Sequence, residues 1–145
     1  MTDDTSVTAT AVVSTSKGDI TIELYGNAAP NTVANFVSKA KSDYYKDLTF
    51  HRVEDWVLQG GDPLGNGTGG GKMSTELNKI SFTTGSVGVA RGGDINYSND
   101  SQFFIVKSDA TWLDNQYTNF GKVTSGMDVV NAMAIGDKIL SITIK

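Results

Sequence analysis

Short strands outnumber helices in this sequence. That balance predicts a mainly β fold, a closed antiparallel β-barrel of seven or eight strands with two α-helices over its open ends. Segments rich in β-branched and aromatic residues recur along the chain, while only two segments space apolar residues as a helix does. The 145 residues suit one domain, and no repeat, linker or low-complexity stretch interrupts them. We expect a flexible polar tail at residues 1–7 and a single domain at residues 8–145.

Eight segments are predicted strands. They are Thr8–Thr15, Asp19–Tyr25, Thr49–Val53, Trp56–Gln59, Ser86–Ala90, Gln102–Lys107, Asn119–Val123 and Lys138–Ile144. Ser16-Lys17-Gly18 between the first two is typical of a hairpin turn. The polar segments Lys72–Thr84 and Arg91–Asp100 are predicted to be connections.

Two helices are predicted from apolar residues at helical spacing. The first has Pro30 in its first turn and ends near Lys41. Its inward stripe is Val33, Phe36, Val37 and Ala40. The second helix spans Ser125–Ala134, with Ser125 as its N-cap. Its predicted inward residues are Met127, Val130, Met133 and Ala134.

Composition excludes several classes of function. The net charge is −4, from 12 basic and 16 acidic residues, and no Lys/Arg cluster offers a surface for nucleic acid or an anionic membrane. The chain has no cysteine, which excludes thiol chemistry, and no apolar run near the ~18–20 residues that span a bilayer. The acidic, polar start MTDDTSVT is unlike a signal peptide, although a chain whose leader had been removed would look the same. We expect a cytoplasmic monomer.

The stretch Thr49–Gly71 organises the chain. Two predicted strands joined by an acidic turn lead into a loop with seven glycines between Gly60 and Gly71, too many for a strand or helix. Alternation on the first strand places His51 and Arg52 on opposite faces. We interpret His51 as a hydrogen-bonded structural histidine and Arg52 as a residue of the working face. No carboxylate is evident on that face, so the guanidinium is expected to await a ligand.

Other motifs do not predict a site. Residues 65–70 match GxGxxG, but no helix follows to meet a pyrophosphate. A P-loop fails because Asn66 replaces its first glycine and Met73 its Ser/Thr. A serine hydrolase would need a GxSxG elbow, which is absent. One histidine without cysteine does not make a usual zinc site, and a calcium loop beginning at Asp94 lacks its glycine and closing glutamate. We expect no metal and no cofactor.

Five separated blocks resemble the signature of the cyclophilins, which are peptidyl-prolyl cis–trans isomerases. They are Phe50-His51-Arg52-Val53, Gln59-Gly60-Gly61-Asp62, Gly67-Thr68-Gly69-Gly70, Ser101-Gln102-Phe103-Phe104-Ile105 and Trp112-Leu113-Asp114. Their order and spacing hold from about Val12 to Ile144, and the compact loops look most like small bacterial members. The resemblance implies an eight-stranded barrel capped by two helices and an enzyme that acts on X–Pro bonds in peptides and folding proteins.

The resemblance also implies a set of site residues. Arg52 would donate a hydrogen bond to the prolyl nitrogen in the twisted transition state, with Gln59 and Phe104 beside it as catalytic residues. The residues expected to bind the substrate are Trp56, Val57, Ala90, Arg91, Gln102, Trp112, Leu113 and Tyr117. Trp112 would also contact the cyclic-peptide inhibitor cyclosporin.

The sequence departs from the common family pattern at four places. The turn before Trp56 is one residue short, Trp56 and Val57 replace phenylalanine and methionine, Tyr117 replaces a frequent histidine, and the loop from Arg91 is slightly long. We expect these changes to alter the preferred residue before proline more than the reaction. The alternatives are a recognition module that binds proline segments without turnover and a holdase chaperone, which would need a large exposed apolar patch.

Overall fold

The apolar alternation of the sequence forms one antiparallel sheet of eight strands. The computed structural model describes residues 2–145, so Met1 of the predicted tail lies outside the described residues. The strands are β1 Ala9–Thr15, β2 Gly18–Leu24, β3 Phe50–Val53, β4 Val57–Gly60, β5 Lys72–Ser74, β6 Ser86–Val89, β7 Tyr97–Asn99, β8 Phe103–Val106, β9 Asn119–Ser125 and β10 Ile139–Ile144. The main sheet has the order β10-β1-β2-β9-β6-β8-β4-β3. All eight predicted strands are present with small shifts at their ends, and the predicted fold class is confirmed.

The predicted closure of the barrel is less complete than expected. The terminal strands β3 and β10 meet through a single bridge, between Thr49 and Lys138, rather than through a ladder. A backbone hydrogen bond flanks this bridge on each side, from Ile139 to Leu48 (2.8 Å) and from Phe50 to Asp137 (2.9 Å). The register of β3 shifts just after Phe50. Because such a bulge bends its strand, β3 turns away from β10 before more pairs can form.

The core lies between the sheet and helix α1, Pro30–Lys41. Strands β1 and β2 bury every second residue, which places Val13 and Ile20 inside. Phe36 of α1 packs edge-on against Phe103 at 5.6 Å between ring centroids. Of the predicted stripe of α1, Val33, Phe36 and Ala40 are buried and Val37 is partly buried. The prediction for this helix is therefore confirmed.

Helix α2 is shorter than predicted and spans Met127–Ala132. Its N-cap is Gly126 rather than Ser125, and the cap has a left-handed backbone with φ of 97°. Glycine suits that conformation because it has no Cβ. Met133 is already extended, so the helix ends before Ala134, which is exposed instead of facing inward.

Two segments predicted to be connections form a second sheet. β5 and β7 pair in antiparallel register, with Met73 opposite Ser98. Each strand has only three residues and a largely polar sequence, so the local sequence pattern gives little indication of either strand. Their pairing brings the end of the glycine loop beside the segment Arg91–Asp100.

The start of α1 is capped by a residue from the segment after β5. The N-cap residue, Ala29, has no side chain that could serve. The Glu76 carboxylate instead accepts hydrogen bonds from the backbone N–H groups of Thr32 (2.7 Å) and Asn31 (3.2 Å) and from the Thr32 hydroxyl (2.7 Å). A carboxylate at this end also complements the helix dipole.

The glycine loop is held by one buried carboxylate. Asp62 is fully buried and accepts hydrogen bonds from the backbone N–H groups of Leu64 (2.9 Å), Asn66 (3.1 Å) and Gly67 (2.5 Å). Burial raises the pKa of Asp62, but these backbone donors, together with that of Gly69, outweigh burial and lower the pKa below 3.8. The loop therefore folds around the charged form of this side chain.

We predict that Glu76→Ala lowers the free energy of unfolding by about 1 kcal/mol, the usual effect of losing a helix cap. Urea unfolding followed by circular dichroism measures this change. Glu76→Gln keeps one acceptor oxygen and should lose less than Glu76→Ala. An alanine variant as stable as the wild type would show that the contacts of Glu76 do not stabilise α1.

We predict that Asp62→Asn lowers the free energy of unfolding by about 2 kcal/mol at pH 7, because hydrogen bonds to a charged group are lost. The folded-state pKa of Asp62 is lowered, so its stabilisation is complete above pH 3.8 and is lost as the pH falls through the folded pKa. The difference between wild type and variant should therefore shrink below that pH. Thermal unfolding at pH 7 and pH 3 measures it.

The matched control for this prediction is Asp3→Asn, which removes the same charge from an exposed position. It should leave the stability at both pH values unchanged. A difference between wild type and Asp62→Asn that stays constant with pH would contradict a role for the ionised carboxylate.

Candidate active site

The three residues predicted to be catalytic lie in one row across three neighbouring strands. Arg52 of β3 is opposite Gln59 of β4, and Gln59 is opposite Phe104 of β8. The next position in the row is Gly88 of β6, where a Cβ would collide with the Phe104 ring. The missing side chain at Gly88 leaves the space into which that ring folds.

A cavity of about 160 Å³ opens beside this row. Nine of the eleven predicted site residues line it, namely Arg52, Trp56, Val57, Gln59, Ala90, Arg91, Phe104, Leu113 and Tyr117. Val57, Phe104 and Leu113 are at most 6% exposed and form its floor. Phe82 stacks against Phe104 at 5.7 Å from beneath. The cavity is therefore a socket with an apolar floor and with Arg52, Gln59 and Arg91 as polar groups around it.

Arg52 stands at the polar edge of the socket. Its Nη1 donates a hydrogen bond to Gln59 Oε1 at 3.3 Å, and its guanidinium carbon lies 5.5 Å from the centre of the Trp56 ring. Its Nε donates to the carboxylate of Glu54. The expectation that no carboxylate shares the face of Arg52 is therefore wrong. Residues two apart on a strand share a face, so the spacing of Glu54 and Arg52 contained the missing signal.

A chain of amides links Arg52 to the glycine loop. Gln59 Nε2 donates to Gln102 Oε1 at 3.0 Å. Gln102 Nε2 donates in turn to the carbonyl oxygens of Gly69 (2.9 Å) and Gly67 (3.2 Å). Gln102 is buried and does not line the socket. It lines a larger neighbouring cavity of about 620 Å³, which shares Gln59, Ala90 and Arg91 with the socket.

Two loops meet over Tyr117. Arg91 donates from Nε to the carbonyl oxygen of Gln116 at 2.9 Å, and its guanidinium carbon lies 4.4 Å from the centre of the Tyr117 ring. The Tyr117 ring meets Phe104 edge-on at 5.8 Å. The main chain of Ala90 already donates to Gln102 and accepts from Asn99. Arg91 thus lines the socket beside Tyr117.

Trp112 and Leu113, both expected to bind the substrate, have different environments. They lie in a 3₁₀ turn, Thr111–Leu113. Trp112 is 60% exposed and lies edge-on to Trp56 at 5.2 Å, whereas Leu113 is buried. The turn directs Leu113 into the socket and leaves Trp112 on its rim, outside the lining residues.

His51 lies outside the socket and is not the hydrogen-bonded histidine that we expected. Its Nδ1 is buried without a hydrogen-bond partner in the part of the chain that the structure describes. Burial lowers the pKa of His51, as does the nearby Arg52 charge, while Asp62 acts in the opposite direction. A neutral ring is the form that this environment favours.

Searches for a metal site and for a membrane-spanning helix cover the residues that the structure describes. Residues 2–145 contain no group of three or more His, Asp or Glu side chains placed to hold a metal ion. None of the helices in that range is both long and apolar enough to span a membrane. The groups that line the socket are the guanidinium groups of Arg52 and Arg91, the amide of Gln59, and aromatic and aliphatic side chains.

Comparison with known proteins relates this arrangement to a family. Residues 10–143 match the family model described as cyclophilin type peptidyl-prolyl cis-trans isomerase/CLD. The chain is 44% identical over 130 residues to the peptidyl-prolyl cis-trans isomerase cypE of Dictyostelium discoideum, which covers 86% of this chain and 83% of that protein. It is 41% identical over 142 residues to a peptidyl-prolyl cis-trans isomerase of Helicobacter pylori, with 93% and 86% of the two chains covered.

Solved structures agree with the sequence comparison. The fold matches that of a cyclophilin type peptidyl-prolyl cis-trans isomerase from Cryptosporidium parvum, crystallised in the presence of the dipeptide Ala-Pro. The TM-score is 0.86 at 28% sequence identity, over 94% of this chain and 98% of that one. The family and the enzyme class predicted from the sequence are thereby confirmed. This chain belongs to the cyclophilin-type peptidyl-prolyl cis–trans isomerases.

Proposed function

We propose that this protein catalyses cis–trans isomerisation of X–Pro bonds in peptides and folding proteins, with Arg52 as the donor to the prolyl nitrogen. The observation that carries the proposal is the position of Arg52 at the edge of an apolar socket with N–H groups to spare. A guanidinium has five N–H groups. One bonds Glu54 and one bonds Gln59, which leaves three without a partner in the described residues.

Rotation about the X–Pro bond is slow because it removes amide resonance, with a barrier of about 18–20 kcal/mol. As the bond twists, the lone pair of the prolyl nitrogen becomes available as an acceptor. A donor held beside that nitrogen binds the twisted state more strongly than either planar state, and such differential binding lowers the barrier. Arg52 supplies that donor.

The socket supplies the binding energy for the proline ring. Its floor of Val57, Phe104 and Leu113 is apolar and buried, so the ring leaves water on entering it. Trp56 and Tyr117 form its walls. The Cryptosporidium parvum relative was crystallised in the presence of Ala-Pro, a dipeptide that carries the proline ring we propose for this socket.

Polar groups beside the socket hold the peptide around the proline. Gln59 both orients Arg52 and faces the socket, while Gln102 and Ala90 border the adjoining larger cavity. An extended peptide with its proline in the socket would continue into that cavity. We propose residues 8–145 as the catalytic unit. The monomeric state and the cytoplasmic location stay predictions.

We predict that Arg52→Ala lowers the catalysed exchange rate of a short X–Pro peptide about 10²- to 10³-fold, the usual loss when one transition-state donor is removed. Exchange spectroscopy by NMR measures the rate. Arg91→Ala is the matched control, because it removes the only other arginine of the chain, which also lines the socket. We expect a loss of about fivefold or less, since its cation–π contact contributes about 0.5–1 kcal/mol.

The three possible results separate the candidate functions. Acceleration that collapses in Arg52→Ala supports both the isomerase and the role of Arg52. Binding without acceleration in the wild type would identify a recognition module. Equal acceleration by wild type and Arg52→Ala would leave the isomerase intact and remove Arg52 from its mechanism.

We predict that cyclosporin inhibits this protein and that Trp112→Ala weakens the inhibition. The exposed Trp112 ring on the rim of the socket offers an apolar surface to a cyclic peptide. Inhibition is measured in the same peptide assay, with the turnover of uninhibited Trp112→Ala as the control for intact folding. No effect of micromolar drug on the wild type would contradict the prediction.

A further inference from the structure

Within residues 2–145, Glu54 is the one charged side chain bonded to the proposed catalytic arginine. Its carboxylate accepts a hydrogen bond from Arg52 Nε and forms an ion pair with the guanidinium. Glu54 does not line the socket, so it acts on a substrate only through another residue. The contact therefore concerns the placement of Arg52.

The position of Glu54 is itself determined by the turn between β3 and β4. Its backbone N–H donates to the carbonyl oxygen of Val57 at 2.9 Å, which closes this turn. The side chain lies two residues after Arg52 and on the same side of the hairpin. The neighbouring Asp55 is in the same turn, is exposed, and makes no ion pair among the described residues. The two acidic residues thus differ in their contact with Arg52.

The contacts of Arg52 engage different nitrogens. Glu54 engages Nε and Gln59 engages Nη1, while Trp56 lies against the cation at 5.5 Å. Because the guanidinium is planar, two bonds to different nitrogens determine the orientation of its plane. Nη2 has no hydrogen bond to any described residue and is left for the prolyl nitrogen.

The charge of Glu54 affects the donor strength of Arg52 less than the contact of Glu54 affects the orientation of Arg52. The Arg52 and Glu54 side chains are 44% and 46% exposed, so water screens the carboxylate and takes little from the donor strength of the cation. A long side chain such as arginine otherwise samples many rotamers. If Arg52 is already held in one orientation, less conformational entropy is lost when the transition state forms.

We propose that Glu54 is a positioning residue that acts through Arg52: it holds the Nε edge so that the terminal amino groups face the socket. This inference rests on the proposed isomerase function. An exposed ion pair of this type shifts an equilibrium by about two- to fivefold, and we expect Glu54→Ala to lower kcat/KM by that factor. The fall should appear in kcat, because Glu54 does not contact the substrate.

The first experiment observes Arg52 without measuring activity. The ¹⁵N–¹H signal of Arg52 Nε is recorded for the wild type, Glu54→Ala, Glu54→Gln and Asp55→Asn. We expect this signal to shift and to exchange faster with water in Glu54→Ala. It should change less in Glu54→Gln, which keeps an acceptor oxygen, and remain as in the wild type in Asp55→Asn, which removes a matching charge. An unchanged signal in Glu54→Ala would overturn the proposal.

The second experiment is a double-mutant cycle in the peptide exchange assay. If Glu54 acts through Arg52, adding Glu54→Ala to Arg52→Ala should cause no further loss. An equal loss in both backgrounds would overturn the proposal, as would a rise in the activity of Glu54→Ala, which would mean that Glu54 competes with substrate for the guanidinium. A wild type without isomerase activity would refute the proposed function, while the Nε signal would still report on the contact.

Discussion

The antiparallel register of β3, β4 and β8 is the constraint on which the site depends. Backbone hydrogen bonds set that register, and it puts Arg52, Gln59 and Phe104 opposite one another. A shift by one residue would turn a strand's side chains to the other face and separate the cation from the socket. The backbone ladder therefore aligns the proposed donor with the apolar floor of the socket, and no flexible segment is needed to bring them together.

The site joins two environments that are costly to combine. Its floor belongs to a second apolar cluster behind Val57 and Phe104, separate from the main core under α1. Its edge is a continuous series of amide hydrogen bonds from Arg52 through Gln59 and Gln102 to the glycine loop. Because the amides of Gln59 and Gln102 both have hydrogen-bond partners, they lie next to apolar rings without a large desolvation penalty.

The turn after β3 gives this family member its own version of the site. Glu54 bonds the Nε edge of Arg52, and Trp56 packs both against that guanidinium and edge-on to Trp112. Arg91 likewise lies over the Tyr117 ring. Two pairs of an arginine and an aromatic ring thus line the socket.

Local pattern was enough to predict the strands, α1 and the residues around the socket, because alternation, helical spacing and the signature blocks are properties of short segments.

Three features were not predicted: the second sheet of β5 and β7, the Glu76 cap on α1 and the hydrogen bonds of Asp62 to its loop. Each depends on contacts between residues that no local sequence pattern identifies as neighbours. The Glu54 contact was missed although Glu54 lies only two positions after Arg52, because Glu54 was assigned to the turn between the strands rather than to the face of the strand. The sequence by itself determined the fold class, the family and nearly all lining residues. Only the tertiary structure decided how far the barrel closes and which groups hold Arg52, because those depend on strand bending and side-chain contacts that form once the chain has folded.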